Sequence, residues 1–215
     1  MRLDFKSVHR ILREQHGEQE WWPGDSAFEI MVGAVLTQNT AWTNVEKAIA
    51  NLKQADALSL PGILDLPRDS LAELIRPSGY YNQKAKRLQG FCAWLNDQGG
   101  IETLKEQETS ELRKNLLAIN GIGPETADDI LLYALGRPVF VIDAYTRRLF
   151  SRLNLIAGLE SYEDLRMQFE ASLKGDANFY NEYHALIVIH GKDVCRKSPL
   201  CDDCYLQSWC RGMSA

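Results

Sequence analysis

Four cysteines crowd the C-terminal end of this 215-residue chain: Cys195, Cys201, Cys204 and Cys210, spaced C-x5-C-x2-C-x5-C. Four thiolates converging within sixteen residues suit a tetrahedral site, either an iron–sulfur cluster or zinc. A structural zinc site commonly uses two short C-x2-C knuckles and only one is present, so the wider, irregular spacing fits a cubane better. With every ligand position filled by protein, such a site would staple the C-terminus. It could also fix a basic loop, with Arg196, Lys197 and Arg211 aimed at phosphates. The fifth cysteine, Cys92 in GFCAWL, reads as a buried small hydrophobe.

A second constellation lies in NGIGPETADDI. Gly121 and Gly123 bracket Ile122, so the backbone turns sharply between two helices, and Pro124 opens the second. Backbone N–H groups at such a turn form an anion site suited to sequence-independent phosphate gripping. A glycine turn can equally do no more than reverse the chain. Twenty residues on, Asp143 ends the apolar run VFVI and starts a helix. It can be an N-cap, or a carboxylate at the rim of an apolar wall where its charge would stabilise a developing cation, or both. Asp128 and Asp129 read as solvated helix positions.

The elements that must position these groups are helical almost throughout. Residues 4–16 are amphipathic, WWPGDS is a turn, and FEIMVGAVLTQ, capped by Asp25 or Ser26, is apolar enough to be the central buried helix. A helix follows from about Thr43 to Lys53; Leu-Pro-Gly at 60–62 and Leu-Pro at 66–67 break the chain, and Asp69 or Ser70 caps LAELI. Then come a helix ending at Gly99-Gly100, the two hairpin helices ending at Gly136, a helix over AYTRRLFSRLNLI, and helices over 161–174 and 178–191. Only 137–142 is strand-like, and it has no partner. The fold class is all-α, with any seam between lobes near 136–143.

With 45% hydrophobic and 25% charged residues, the composition is that of an ordinary globular protein. No apolar run reaches the roughly 18 to 20 residues of a membrane span, and the charged start MRLDFKSVHR has no signal-peptide core, so a cytoplasmic location is expected. A net charge of −5 argues mildly against indiscriminate nucleic-acid binding, although phosphate contacts depend on local geometry. No heptad or large apolar surface run suggests an oligomer, so a monomer is expected.

Five motifs in one order resemble the helix–hairpin–helix DNA glycosylases of the endonuclease III superfamily. They are LTQNT (36–40), GYYNQKA (79–85), INGIGPETA (119–127), VIDAYTRR (141–148), and HGKDVC (190–195) with the three cysteines after it. The resemblance implies a two-lobed fold: a six-helix barrel with the hairpin over 22–136, and a terminal lobe from 1–21 and 137–215 carrying a 4Fe–4S cluster on the four cysteines. The active site would lie in the cleft between lobes, acting on double-stranded DNA that holds a damaged base. Asp143 would be the catalytic carboxylate, Gln38 would fill the gap left by an extruded base, and Tyr80 would wedge into the stack. Gly121 and Gly123 would hold a phosphate. Read without the resemblance, Gln38 is a buried helix glutamine and Tyr80 a core tyrosine.

Glu125 stands where the family's lyase enzymes carry their lysine. A carboxylate forms no Schiff base, which implies a monofunctional glycosylase leaving an intact abasic site. Glu125 could orient water or read a base edge, or merely favour the dipole of its helix. WWPGDSAFEIMVGAVLTQNTAW is similar to the 3-methyladenine DNA glycosylase III branch, in which aromatic residues sandwich an alkylated purine. Trp21, Trp22 and Trp42 are the candidates, against core packing as the alternative. The competing functions are thymine, uracil or adenine mismatch excision, and a non-catalytic module that binds DNA structure.

Overall fold

Side-chain caps set the starts of six of the twelve α-helices in the computed structural model, which describes residues 3–19, 21 and 24–211. The helices are α1 (Phe5–His16), α2 (Ala27–Leu36), α3 (Trp42–Gln54), α4 (Leu60–Asp65), α5 (Arg68–Leu74) and α6 (Tyr81–Asp97). They continue with α7 (Ile101–Glu106), α8 (Thr109–Leu117), α9 (Pro124–Asp129), α10 (Ala144–Arg152), α11 (Tyr162–Leu173) and α12 (Ala177–Asp193). Asp4, Ser26, Ser161 and Asp176 each accept a hydrogen bond from the backbone N–H three residues on. Among the described residues no strand forms, and no helix is long and apolar enough to cross a membrane. The all-α expectation matches the structure.

Contacts divide the chain into two compact units, Trp22–Arg137 and Met1–Trp21 with Pro138–Ala215. In the first, α2 is buried from Ile30 to Leu36 and packs on α3, α6 and α9, as a helix apolar on all sides must. Three expectations fail locally. Leu-Pro-Gly at 60–62 does not break the chain but opens α4, because Ser59 accepts from Gly62 N–H at 3.1 Å and proline is tolerated in a first helical turn. Neither Asp69 nor Ser70 caps α5, which starts at Arg68 behind Pro67. The second hairpin helix is not uniform: after α9 it widens into a π-helical turn over Ile130–Ala134, with Leu135 N–H reaching Ile130 O at 3.2 Å, before Gly136 ends it at φ +63°.

In the other unit, α1, α10, α11 and α12 carry a cluster of aromatic rings packed face to face and edge to face. Phe169 lies 4.5 Å from Phe140, 4.6 Å from Phe5 and 4.7 Å from Phe150, centroid to centroid. The run before Asp143 is buried without forming a strand, and side chains take two of its backbone N–H groups. Phe140 N–H donates to Glu170 Oε1 at 3.0 Å and Ile142 N–H to Tyr162 Oη at 3.3 Å. The helix expected over AYTRRLFSRLNLI stops at Arg152, and Asn154 follows in a left-handed conformation at φ +56°.

Candidate functional site

Asp143 terminates the buried run and caps α10. Its Oδ1 accepts from Thr146 N–H at 2.7 Å, and its Oδ2 lies 3.6 Å from Nε2 of His184 on α12. Burial pushes the carboxyl up, but the charge of His184 beside it, with the Thr146 bond, outweighs it and holds Asp143 below the ordinary aspartate range. The group is therefore ionised at neutral pH while only 9% exposed. Sequence reading missed His184. Buried in the apolar stretch of NEYHALIVIH, it carried no signal beyond its residue type.

The hairpin is braced from behind. Gly121 has φ +90°, and a Cβ there would meet Arg87 Cγ and Cδ at 2.6 Å, so both conformation and space demand glycine. Gly123 needs neither: its φ is −91°, and an added Cβ would meet nothing within 4 Å. Gln38 donates from Nε2 to Gly121 O and to Thr126 Oγ1, both at 3.1 Å, and accepts from Arg87 Nη1 at 2.7 Å. To fill a gap in DNA it would have to exchange these bonds for bonds to a base. Asp128 is not solvated. It is fully buried and bidentate with Arg113 of α8, at 2.6 and 3.1 Å, while Asp129 is half-buried.

Lys84 lies within GYYNQKA and is also buried, donating to Leu36 O at 2.8 Å and Ser78 O at 2.6 Å. Desolvation, then the charge of Arg87, lowers its pKa to about 8. The ammonium ties the end of α2, and so the turn that holds Gln38, to the turn before α6. Tyr80 is not a core tyrosine: it is 69% exposed, in a left-handed conformation at φ +46°. Glu125 is exposed in the first turn of α9. Trp42, half-buried, lies over Gly33, where a Cβ would meet its Cη2 at 3.1 Å. Trp21 is half-buried, and Trp22 lies outside the described residues.

Cys195, Cys201, Cys204 and Cys210 line one cavity of about 200 Å³ and form no disulfide. Among the described residues, no group of three or more His, Cys, Asp or Glu is arranged to hold a metal ion. Burial raises the Cys204 pKa, against a lowering hydrogen bond from the Leu206 backbone and with a smaller push from the other three cysteines. Arg152 Nη1 lies 3.1 Å from Cys195 Sγ and donates to Arg196 O at 2.7 Å, while its Nη2 donates to Lys197 O at 3.1 Å. Arg196 and Lys197 are themselves exposed. Cys92 is fully buried, its thiol pushed up to about 12 by desolvation.

A family model described as HhH-GPD superfamily base excision DNA repair protein matches residues 32–174. MJ1434 of Methanocaldococcus jannaschii, named as a DNA repair glycosylase, is 49% identical over 206 residues, 94% of each chain. The H. pylori 3-methyladenine DNA glycosylase MagIII, solved bound to 1,N6-ethenoadenine, is 35% identical with a TM-score of 0.78, covering 88% of this chain and 98% of its own. An endonuclease III–DNA complex shares the fold at 22% identity and a TM-score of 0.81, over 97% and 96% of the two chains.

Proposed function

The chain belongs to the HhH-GPD superfamily of base excision DNA repair proteins, and from that premise we propose that it is a monofunctional DNA N-glycosylase. Its substrate is duplex DNA carrying an alkylated purine such as 3-methyladenine, and its product is an intact abasic site. The observation that carries this reading is Asp143, buried, ionised and pinned at the head of α10.

A 3-methylated adenine is cationic on its nucleotide, so the glycosidic bond breaks with its electron pair leaving on the base, which departs neutral. The positive charge moves to the sugar, where the Asp143 carboxylate stabilises it or takes the proton of the attacking water. Tryptophan faces among Trp21, Trp22 and Trp42 would attract the cationic base, by about 0.5 to 2 kcal/mol. The named substrate and bound ligand of the H. pylori relative support an alkylated purine. Gly121 and Gly123 grip a phosphate through their N–H groups, with open space in front of Gly123. Exposed Tyr80 wedges into the stack, and Gln38 takes the vacated place. Glu125, a carboxylate with no amine to form a Schiff base, supports the monofunctional reading.

Four thiols lining one cavity, with Arg152 beside Cys195 Sγ, suit a 4Fe–4S cluster held by Cys195, Cys201, Cys204 and Cys210. Bound there, the cluster supplies a fixed cross-link for the C-terminal loop and no open ligand position. Arg196 and Lys197, on backbone clamped by Arg152, are thereby held for phosphates. Protein purified anaerobically should absorb in the blue-violet and yield iron and acid-labile sulfide in equal amounts, and Cys204→Ser should lose both. A colourless protein with stoichiometric zinc would replace the cluster with the simpler ion.

The purified protein is to be incubated with methylated DNA and with uracil- and thymine-mismatch duplexes, with released bases identified by chromatography. Release of 3-methyladenine, and nicking only after hot alkali, is expected. Nicking before alkali would refute the monofunctional assignment. Release of a mismatched pyrimidine alone would discard the alkylated purine, and no release from any duplex would leave a DNA-binding module.

A further inference from the structure

His184 is a buried titratable group to which the chemistry above assigns no task. It is 5% exposed on α12, with Nε2 3.6 Å from Oδ2 of Asp143, while Oδ1 of the same carboxylate accepts from Thr146 N–H. Several charged and titratable groups on the elements packed around it have partners elsewhere: Arg10 and Glu14 pair with each other, Arg13 with Glu18, Arg152 donates to Arg196 O, and Tyr183 Oη donates to Phe5 O. On α10, Arg147 donates to Glu160 O, and Arg148 to Gly191 O and Cys195 O. On α12, Glu182 accepts from Gln19 N–H. On α1, His9 lies against Phe179 and Tyr183, and His16 is hydrogen-bonded to His190. His184 is thus the side chain whose charge acts on Asp143.

We infer that His184 is a positioning residue for Asp143: its imidazole stands at ion-pair distance from one carboxylate oxygen while Thr146 N–H binds the other, which sets the orientation of the carboxylate. The inference rests on the reading of Asp143 as the glycosylase carboxylate. Each carboxylate oxygen has a second lone-pair direction, so the Thr146 bond and the adjacent imidazole still leave acceptor capacity for a developing cation. Desolvation alone would favour the neutral acid, which cannot stabilise that cation; the imidazole offsets it. Removing the imidazole therefore acts on the chemical step and on the acid limb of the rate profile, and leaves duplex affinity alone.

Single-turnover release of 3-methyladenine from methylated duplex, measured across pH with duplex affinity alongside, tests this in wild type, His184→Leu, His184→Gln and Asp143→Asn. His184→Leu should release base roughly 10- to 100-fold more slowly, the scale of a small misplacement of a reacting group. Its affinity should be unchanged and its acid limb displaced to higher pH. His184→Gln keeps an N–H donor near Oδ2 and should recover most of the neutral-pH rate. A wild-type rate and acid limb in His184→Leu would overturn the inference, whereas a wild-type rate in Asp143→Asn would overturn the reading beneath it. Should His184→Leu not fold, carboxyl carbon NMR of wild-type Asp143, assigned with Asp143→Asn, decides without reference to activity. A midpoint below the ordinary aspartate value, with an inflection shared with the His184 imidazole, supports the pair; an ordinary or raised midpoint refutes it.

Discussion

Asp143→Asn is expected to lose base release by ~100-fold or more, the scale on which removal of one preorganised charge-stabilising group slows catalysis. The substitution separates two roles held by one side chain. Asparagine caps helices about as well as aspartate, so the bond to Thr146 N–H and the start of α10 should survive. What goes is the negative charge. Duplex affinity should be retained, because the hairpin glycines, Arg196 and Lys197 are untouched. Stability should change in a pH-dependent way of known sign. The folded carboxyl lies below its unfolded value, so ionisation of Asp143 stabilises the wild type above the unfolded pKa. That contribution is lost as the pH falls through the depressed folded value. Melting curves of wild type and variant should therefore differ at neutral pH and converge in acid. Full release by the variant would remove Asp143 from the mechanism.

The features legible in the sequence were those with a local cause. A Ser or Asp that accepts from the N–H three residues on needs no distant partner, so Ser26 and the helical start at Asp143 could be read directly. The glycine turn between α8 and α9 was equally visible, and Arg87 behind Gly121 adds a reason for glycine that lies thirty-four residues away. Where a partner was remote, pattern reading failed. Asp128 and Asp129 are adjacent acids in one helix, and the bidentate pairing of Asp128 with Arg113 across the hairpin is not announced by either residue's neighbours in the sequence. Lys84 stands within GYYNQKA, and nothing in that stretch shows that the carbonyls of Leu36 and Ser78 take its ammonium. The π-helical turn over Ile130–Ala134 has the same apolar composition as a regular helix, so nothing local announces the wider turn. Leu-Pro-Gly misled because proline breaks a helix interior and starts a helix equally well, and Ser59 decided between the two.

Breaking the pair beneath the hairpin should give the largest loss of stability. Arg113→Ala leaves the Asp128 carboxylate fully buried without its guanidinium, which costs about 3–5 kcal/mol in comparable buried pairs. For a chain of this size that corresponds to a fall in Tm of roughly 6–20 °C. The cost comes from stranding a charge rather than from the strength of the bond, since burying both ions was itself expensive. Arg113→Met combined with Asp128→Leu should then recover most of the loss, as neither buried charge of the pair remains. The pair also joins α8 to α9, and the turn between those helices carries the N–H groups of Gly121 and Gly123. If the ion pair sets that geometry, the double variant will be stable yet bind duplex DNA more weakly than wild type. If packing alone sets it, stability and affinity will recover together. A single variant as stable as wild type would show that the buried carboxylate is satisfied by other neighbours.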